Sequence, residues 1–284
     1  LKGLLAYSTI SHLGLITLLL SLGSPLGAVA AIFHMINHAT FKASLFMAAG
    51  IIDHEAGTRD LRRLSGLFRY MPITGTLATV ASAAMAGVPL LNGFLSKEMF
   101  FAEAVATHTD SWLDRAAPYA AVIGSALAVT YSIRLIHSIF LGKPPETFPR
   151  HPHEPPFWMR FPVMFLVVAC LVIGIIPGLT IGPFLHTAVS SVLDANTPRY
   201  SLAVWHGFTL PLALSAVALA AGALIYLVGS DYLEHAERPP LLGGIQGQRI
   251  FERVMVAISW RGARRVEELF GTRRLQPQML LLVV

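Results

Sequence analysis

Two histidines and a lysine stand four residues apart in the run Phe33-His34-Met35-Ile36-Asn37-His38-Ala39-Thr40-Phe41-Lys42. A helix turns 100° and rises 1.5 Å per residue, so His34, His38 and Lys42 form one stripe that climbs about 6 Å per step. The surrounding stretch is apolar enough to cross a bilayer. An ionisable side chain at that depth costs about 2.5–3.5 kcal/mol, so such groups face a bundle interior and mark ion paths or proton relays. The same four-residue spacing suits a metal, but the zinc protease pattern needs Glu after the first His, and Met35 stands there.

A second candidate is Lys97 with Glu98 beside it, late in an apolar stretch from 73 to 106. A continuous helix over those residues would be about 50 Å long, beyond a hydrocarbon core of about 30 Å. Ala86-Gly87-Val88-Pro89 and Asn92-Gly93 supply an interruption, because Pro removes a donor and Gly tolerates irregular dihedrals. Two half-helices meeting near mid-membrane are predicted, with Lys97 one turn into the second. Discontinuous helices of this kind recur at transporter sites. A buried lysine changes its hold on a proton when a carboxylate moves toward or away from it, and Glu98 is the expected partner.

Other reactive residues have plainer readings beside the functional one. His12, one turn after Ser8, is a further proton-path candidate or a satisfied core histidine. Lys42 and the Lys97–Glu98 pair can also be read as snorkelling side chains. Asp53-His54-Glu55 closes the helix of the histidine stripe and is a candidate uptake point for protons or sodium, or a solvated helix end. Arg134 and His137 suit a lipid contact as well as a relay. His151-Pro152-His153-Glu154-Pro155-Pro156 reads as a solvated, proline-stiffened loop.

The elements that must hold these residues follow from hydropathy. The chain has 284 residues, 54% hydrophobic and 13% charged, with mean hydropathy +0.61. Soluble domains are about 25% charged, so this is a membrane protein. Spans are predicted over 4–22, 27–51, 73–106, 117–141, 158–177 and 207–229. With those spans, sixteen Lys and Arg fall on one side, in loops or, for Arg160, at the first turn of a span, and only Arg115 and Arg199 on the other; Lys42, Lys97 and Arg134 lie deeper within spans. The basic side is expected to be cytoplasmic, which fits a multi-pass protein of the bacterial inner membrane. That distribution, rather than the net charge of +5, bears on partners: it points to lipid and neighbouring subunits, not nucleic acid. Trp112, Trp158 and Trp205 precede spans at aromatic-belt positions.

After Pro239, apolar residues interleaved with arginine and glutamate predict an amphipathic surface helix within 230–274. Leu179 to Leu193 is predicted as a second interfacial helix. The first residue is Leu, and the last five, Leu280 to Val284, look like the start of a further span from 275. An internal piece of a longer chain is the expectation. The lone Cys170 sits in an apolar run as a packing residue, so no redox cofactor and no metal is expected.

Three ordered motifs carry a family resemblance. Lys2-Gly3-Leu4-Leu5-Ala6-Tyr7-Ser8-Thr9-Ile10-Ser11-His12-Leu13-Gly14, Asn37-His38-Ala39-Thr40-Phe41-Lys42-Ala43-Ser44-Leu45-Phe46 and Gly93-Phe94-Leu95-Ser96-Lys97-Glu98 resemble the antiporter-like subunits of respiratory complex I and Mrp-type cation/proton antiporters. Gly50 to Asp60 looks most like the MrpA branch of that family. The resemblance covers most of the chain and weakens after about residue 145. It implies an all-α membrane bundle, the second half of an inverted-repeat fold with one broken helix. Residues 1–145 would be that core and 146–229 additional membrane helices. It also implies roles: His34, His38 and Lys42 on a central hydrophilic axis, Lys97 as the lysine of the broken helix. The expected function is proton translocation within a multisubunit Na+(K+)/H+ antiporter. The alternatives are a proton-pumping component of an NADH:quinone oxidoreductase or related hydrogenase, driven by redox chemistry elsewhere, and a structural membrane scaffold.

Overall fold

The computed structural model describes residues 1–106, 111–145, 147–235 and 247–270. Every regular element among them is helical. Leu1–Gly229 form one compact unit. It contains α1 (Lys2–Ser21), α2 (Pro25–Ala56), α3 (Pro72–Ala86), α4 (Asn92–Val105), α5 (Trp112–Phe140), α6 (Phe157–Ile175), the single turn α7 (Pro177–Thr180), α8 (Gly182–Leu193) and most of α9 (Leu210–His235). Among the described residues, four helical stretches are long and apolar enough to cross a membrane: Lys2–Ser21, Asp114–Phe140, Phe157–Ile175 and Leu210–Ser230. Two more complete the expected set, α2 with its polar stripe and the broken pair α3 and α4.

Local sequence explains the boundaries. Ser24 caps α2 by accepting from the Gly27 amide at 2.8 Å, Pro25 occupies the first turn, and Gly57 ends the helix at φ 69°. The helix therefore runs to Ala56, beyond the hydropathy limit at Ile51, because Asp53-His54-Glu55 continues it outside the apolar run. Pro72 opens α3 and Gly87 closes it at φ 83°. Leu90 then adopts φ 68° within the link, a left-handed value uncommon for a bulky residue. The break predicted between 86 and 93 is present.

Burial departs from that of a soluble protein. His12, His34, Asn37, Lys42, Ser96 and Lys97 are buried, while Phe165, Leu224, Leu227 and Val228 are exposed. Lipid-facing apolar surfaces and a polar interior produce this pattern. α2 lies at the centre, packed by α1, α3, α4, α6 and α8. Glycines let the backbone of the break be covered: a Cβ on Gly93 would lie 1.8 Å from the Ala84 carbonyl oxygen, and one on Gly174 of α6 would lie 2.3 Å from that of Leu90. Protein thus buries the irregular segment, as membrane depth demands.

The helix expected at the interface, now α8, buries one face, Leu185 and Val189, against Val29, Phe33 and Leu95. One expectation is corrected here. The loop 151–156 is not a free solvated strap. Pro152 and Pro155 are buried, and Glu154 accepts from the amides of Ile73 and Thr74 at 3.1 and 3.0 Å, capping α3 where Pro72 leaves an opening for an anion.

The second unit, Ser230–Val284, is described over 230–235 and 247–270 and is helical there: the end of α9, then α10 (Gly247–Met255), a π-helical turn Val256–Gly262 and α11 (Ala263–Phe270). Its described side chains alternate apolar and basic character around an exposed surface, as an amphipathic helix does. The rest of that expectation, 236–246 and 271–274, and the further span expected from 275, lie outside the described residues.

Candidate functional site

The stripe on α2 meets α1 rather than standing alone. His12 Nδ1 and His34 Nε2 are 3.0 Å apart, and His34 Nδ1 lies 2.9 Å from Ser96 Oγ on α4. His12 also packs 5.2 Å, ring to ring, from both His34 and His38. Lys42 Nζ donates to Ser8 Oγ, again on α1, and approaches the Leu5 carbonyl oxygen at 3.4 Å and Met85 Sδ at 3.3 Å. At 4% exposure and fourteen residues from the helix end, Lys42 does not snorkel. Three helices thus gather Lys42, Ser8, His12, His38, His34 and Ser96 into one buried polar seam.

That seam can relay a proton. A neutral imidazole has one donor and one acceptor nitrogen. If His34 Nε2 donates to His12, its Nδ1 accepts from Ser96; in the other tautomer both bonds reverse. Passing between the two moves one proton across the ring without moving the ring. His12 Nε2, His38 Nε2 and Asn37 Oδ1 are buried without a protein partner among the described residues. Dry, each would cost about 1–3 kcal/mol, and groups of this kind in folded proteins bind internal water.

The broken helix supplies the next cation. Asn37 Nδ2 donates to the Asn92 carbonyl oxygen at 3.0 Å, fixing the start of α4 against α2. From there Lys97 reaches back and donates to the Ala86 carbonyl oxygen at 2.7 Å. That oxygen belongs to the unpaired C-terminal end of α3, the negative end of its dipole, which favours a cation. Gly87 makes room: a Cβ there would sit 2.6 Å from Lys97 Cδ. The expected Lys97–Glu98 pair is not what the structure holds. Adjacent helix positions point 100° apart, so Lys97 turns to α3 while Glu98 faces a different cavity. That cavity, about 400 Å³, is lined by Glu98, Glu103, Arg199, Tyr200 and His206. Glu103 accepts from Ser24 Oγ at 2.6 Å.

At the other end of α2, Glu55 is buried between two imidazoles, with His54 Nδ1 at 2.9 Å and His153 Nδ1 at 3.0 Å. Asp53 pairs with Arg59 at 3.0 Å, and Arg150 donates to the His54 carbonyl oxygen at 3.1 Å. Nearby, Arg62 donates to both oxygens of Asp60, and these side-chain hydrogen bonds hold its carboxyl below the usual range. The structure does not join this end to the seam: Glu55 is about 20 Å along α2 from Lys42, with buried Leu45, Ala48, Ala49 and Ile52 between. His137, for its part, hydrogen-bonds Tyr226 of α9 at 2.8 Å.

Several participants escaped the sequence. Ser96 was visible only as the neighbour of Lys97, and nothing local distinguishes a relay serine from one bonded to its own turn. His153 was too distant in sequence to pair with Glu55. Helix pairing, which brings α1 beside α2, is what promotes His12 from a minor candidate to the centre.

Comparison with known proteins bears on the fold and on what the chain resembles. Residues 1–123 match the family described as NADH:quinone oxidoreductase/Mrp antiporter, TM. The chain is 69% identical over 284 residues to the A/B component of a probable K+/H+ antiporter of Rhizobium meliloti (strain 1021), covering 100% of this chain and 28% of that protein. It is 38% identical over 270 residues to the A component of a Na+/H+ antiporter of Alkalihalophilus pseudofirmus, covering 85% of this chain and 34% of that protein. Among solved structures, the Mrp complex from Dietzia sp. superposes with a TM-score of 0.74 at 32% identity, covering 99% of this chain and 30% of that one. The chain spans about a third or less of each of these relatives. Residues 1–123 of this helical membrane protein thus match the membrane module shared by NADH:quinone oxidoreductase and Mrp antiporters, and the chain along its length is similar to the A components of cation/proton antiporters.

Proposed function

We propose that this chain carries protons within a multisubunit cation/proton antiporter of the bacterial inner membrane, exchanging H+ for Na+ or K+. One observation carries the reading: a buried seam in which Lys42 donates to Ser8, His12 stands one turn further along α1 and meets His34, and His34 meets Ser96, with the Lys97 ammonium on the next residue of α4. Groups so placed can hand protons along the membrane plane. The lysines at its two ends respond electrostatically to each other's charge. The similarity to antiporter components along the whole chain favours this coupling over one driven by redox chemistry in other subunits.

In this reading the basic loops and the amphipathic segment 247–270 face the cytoplasm. Asp53, His54 and Glu55 are the uptake end, and Glu98 faces the cavity toward the opposite side. The partners are the other membrane subunits of the complex and the surrounding lipid. The test is Lys97→Met in the full-length protein, assembled with its partners in proteoliposomes. Cation-driven proton flux is expected to fall at least about tenfold with the assembly intact. Wild-type flux from an intact assembly would refute the proton path.

A further inference from the structure

An ammonium has three donors, and Lys97 commits one to Ala86. Beside it lies a small cavity of about 10 Å³, lined in part by Lys97, Gly87, Ser125 of α5 and Ser215 of α9. Both serines are buried, and both hydroxyls lack a protein partner among the described residues. That is unusual within these helices. Mid-helix hydroxyls ordinarily bond the carbonyl four residues back, as Thr130 does to Ala126 and Ser132 to Ala128 in the same α5. Ser125 and Ser215 forgo that bond and line a cavity next to a lysine. The volume matches the centre of one water molecule, and a buried water needs two to four polar partners.

We propose that this cavity binds a single water molecule, held by Lys97 Nζ, Ser125 Oγ and Ser215 Oγ, and that α9 thereby completes the Lys97 site. The water accepts a second N–H of the ammonium and donates to a serine hydroxyl. The same water serves both forms of the lysine: it accepts an N–H of the ammonium, and in the neutral form it turns to donate an O–H to the amine lone pair, while the serine hydroxyls hold it in place. Both serines lie beyond residues 1–123, the part matched by the family. The helix is fixed there by close packing on α5. A Cβ on Gly222 would lie 2.4 Å from the Ala126 carbonyl oxygen, and Thr130 Oγ1 donates to the Gly222 carbonyl oxygen at 2.9 Å. One turn before Ser215, Pro211 lines the 400 Å³ cavity that holds Glu98, so the two cavities share one face of α9.

The inference rests on the proton-path reading for its role, though not for the water itself. A water-resolving structure of the full-length protein in its complex tests the site directly. A density peak within hydrogen-bonding distance of Nζ and both hydroxyls is expected in the wild type and absent in the Ser125→Ala/Ser215→Ala double variant. Flux of that variant should fall about three- to tenfold, the equivalent of one hydrogen bond. A dry cavity in the wild type overturns the proposal, as does wild-type flux from the double variant. The proton path itself would survive either result if Lys97→Met still abolished flux.

Discussion

A lysine that lies 4% exposed with one carbonyl partner is poorly placed for stability. Replacing a buried charge by an apolar side chain of similar length is often neutral or stabilising. Lys97→Met is therefore expected to leave the thermal midpoint of the purified assembly unchanged or raised, while transport is lost; a lowered midpoint would mean that Lys97 is structural. Gly87 has the opposite profile. It combines φ 83° with a position where a Cβ would meet Lys97 at 2.6 Å. Gly87→Ala should destabilise by about 1–3 kcal/mol, seen as a lower thermal midpoint, and should reduce flux by displacing the lysine. At this scale much was legible beforehand: spacing alone puts His34, His38 and Lys42 on one stripe. What spacing could not reveal is which groups complete them. Ser96, the Ala86 carbonyl and the second imidazole on Glu55 come from another helix, from the backbone and from a distant loop.

Among the elements, the break between α3 and α4 organises the site. Hydropathy exposed it through length, and Gly and Pro located it. The direction of each half's side chains was not readable, so Glu98 was expected beside Lys97 and is found facing another cavity. Loop 151–156 was misread for a related reason. Its composition is that of a solvated turn, yet Glu154 caps α3 from 80 residues away. Glu154→Ala removes acceptors for two amides and the Thr74 hydroxyl, and should cost about 1–2 kcal/mol. The check is thermal unfolding of the assembled complex, in which Glu154→Gln should recover part of the loss.

For the molecule as a whole, an apolar exterior and ionisable groups buried within an otherwise apolar core define a helical membrane protein whose chemistry lies in its interior. Composition and charge distribution made that plain before any contact was known, because a bilayer tolerates only one kind of patterning. The assembly of a seam from α1, α2 and α4 depends on packing that no local pattern specifies. At the basic end, Glu55→Gln tests uptake: a flux reduced about tenfold supports it, and unchanged flux assigns Glu55 to holding the loop through His153.

The central claim is continuity of the seam, and His34 is its middle link. Gln at that position can keep hydrogen bonds to His12 and Ser96 but cannot carry the proton through a ring. Cation-driven proton flux through the full-length complex bearing His34→Gln, with both lysines intact, is the most direct measurement. A fall of about tenfold or more in a fully assembled complex is the predicted result. Flux equal to the wild type would contradict the account, because protons would then be moving without passing His34.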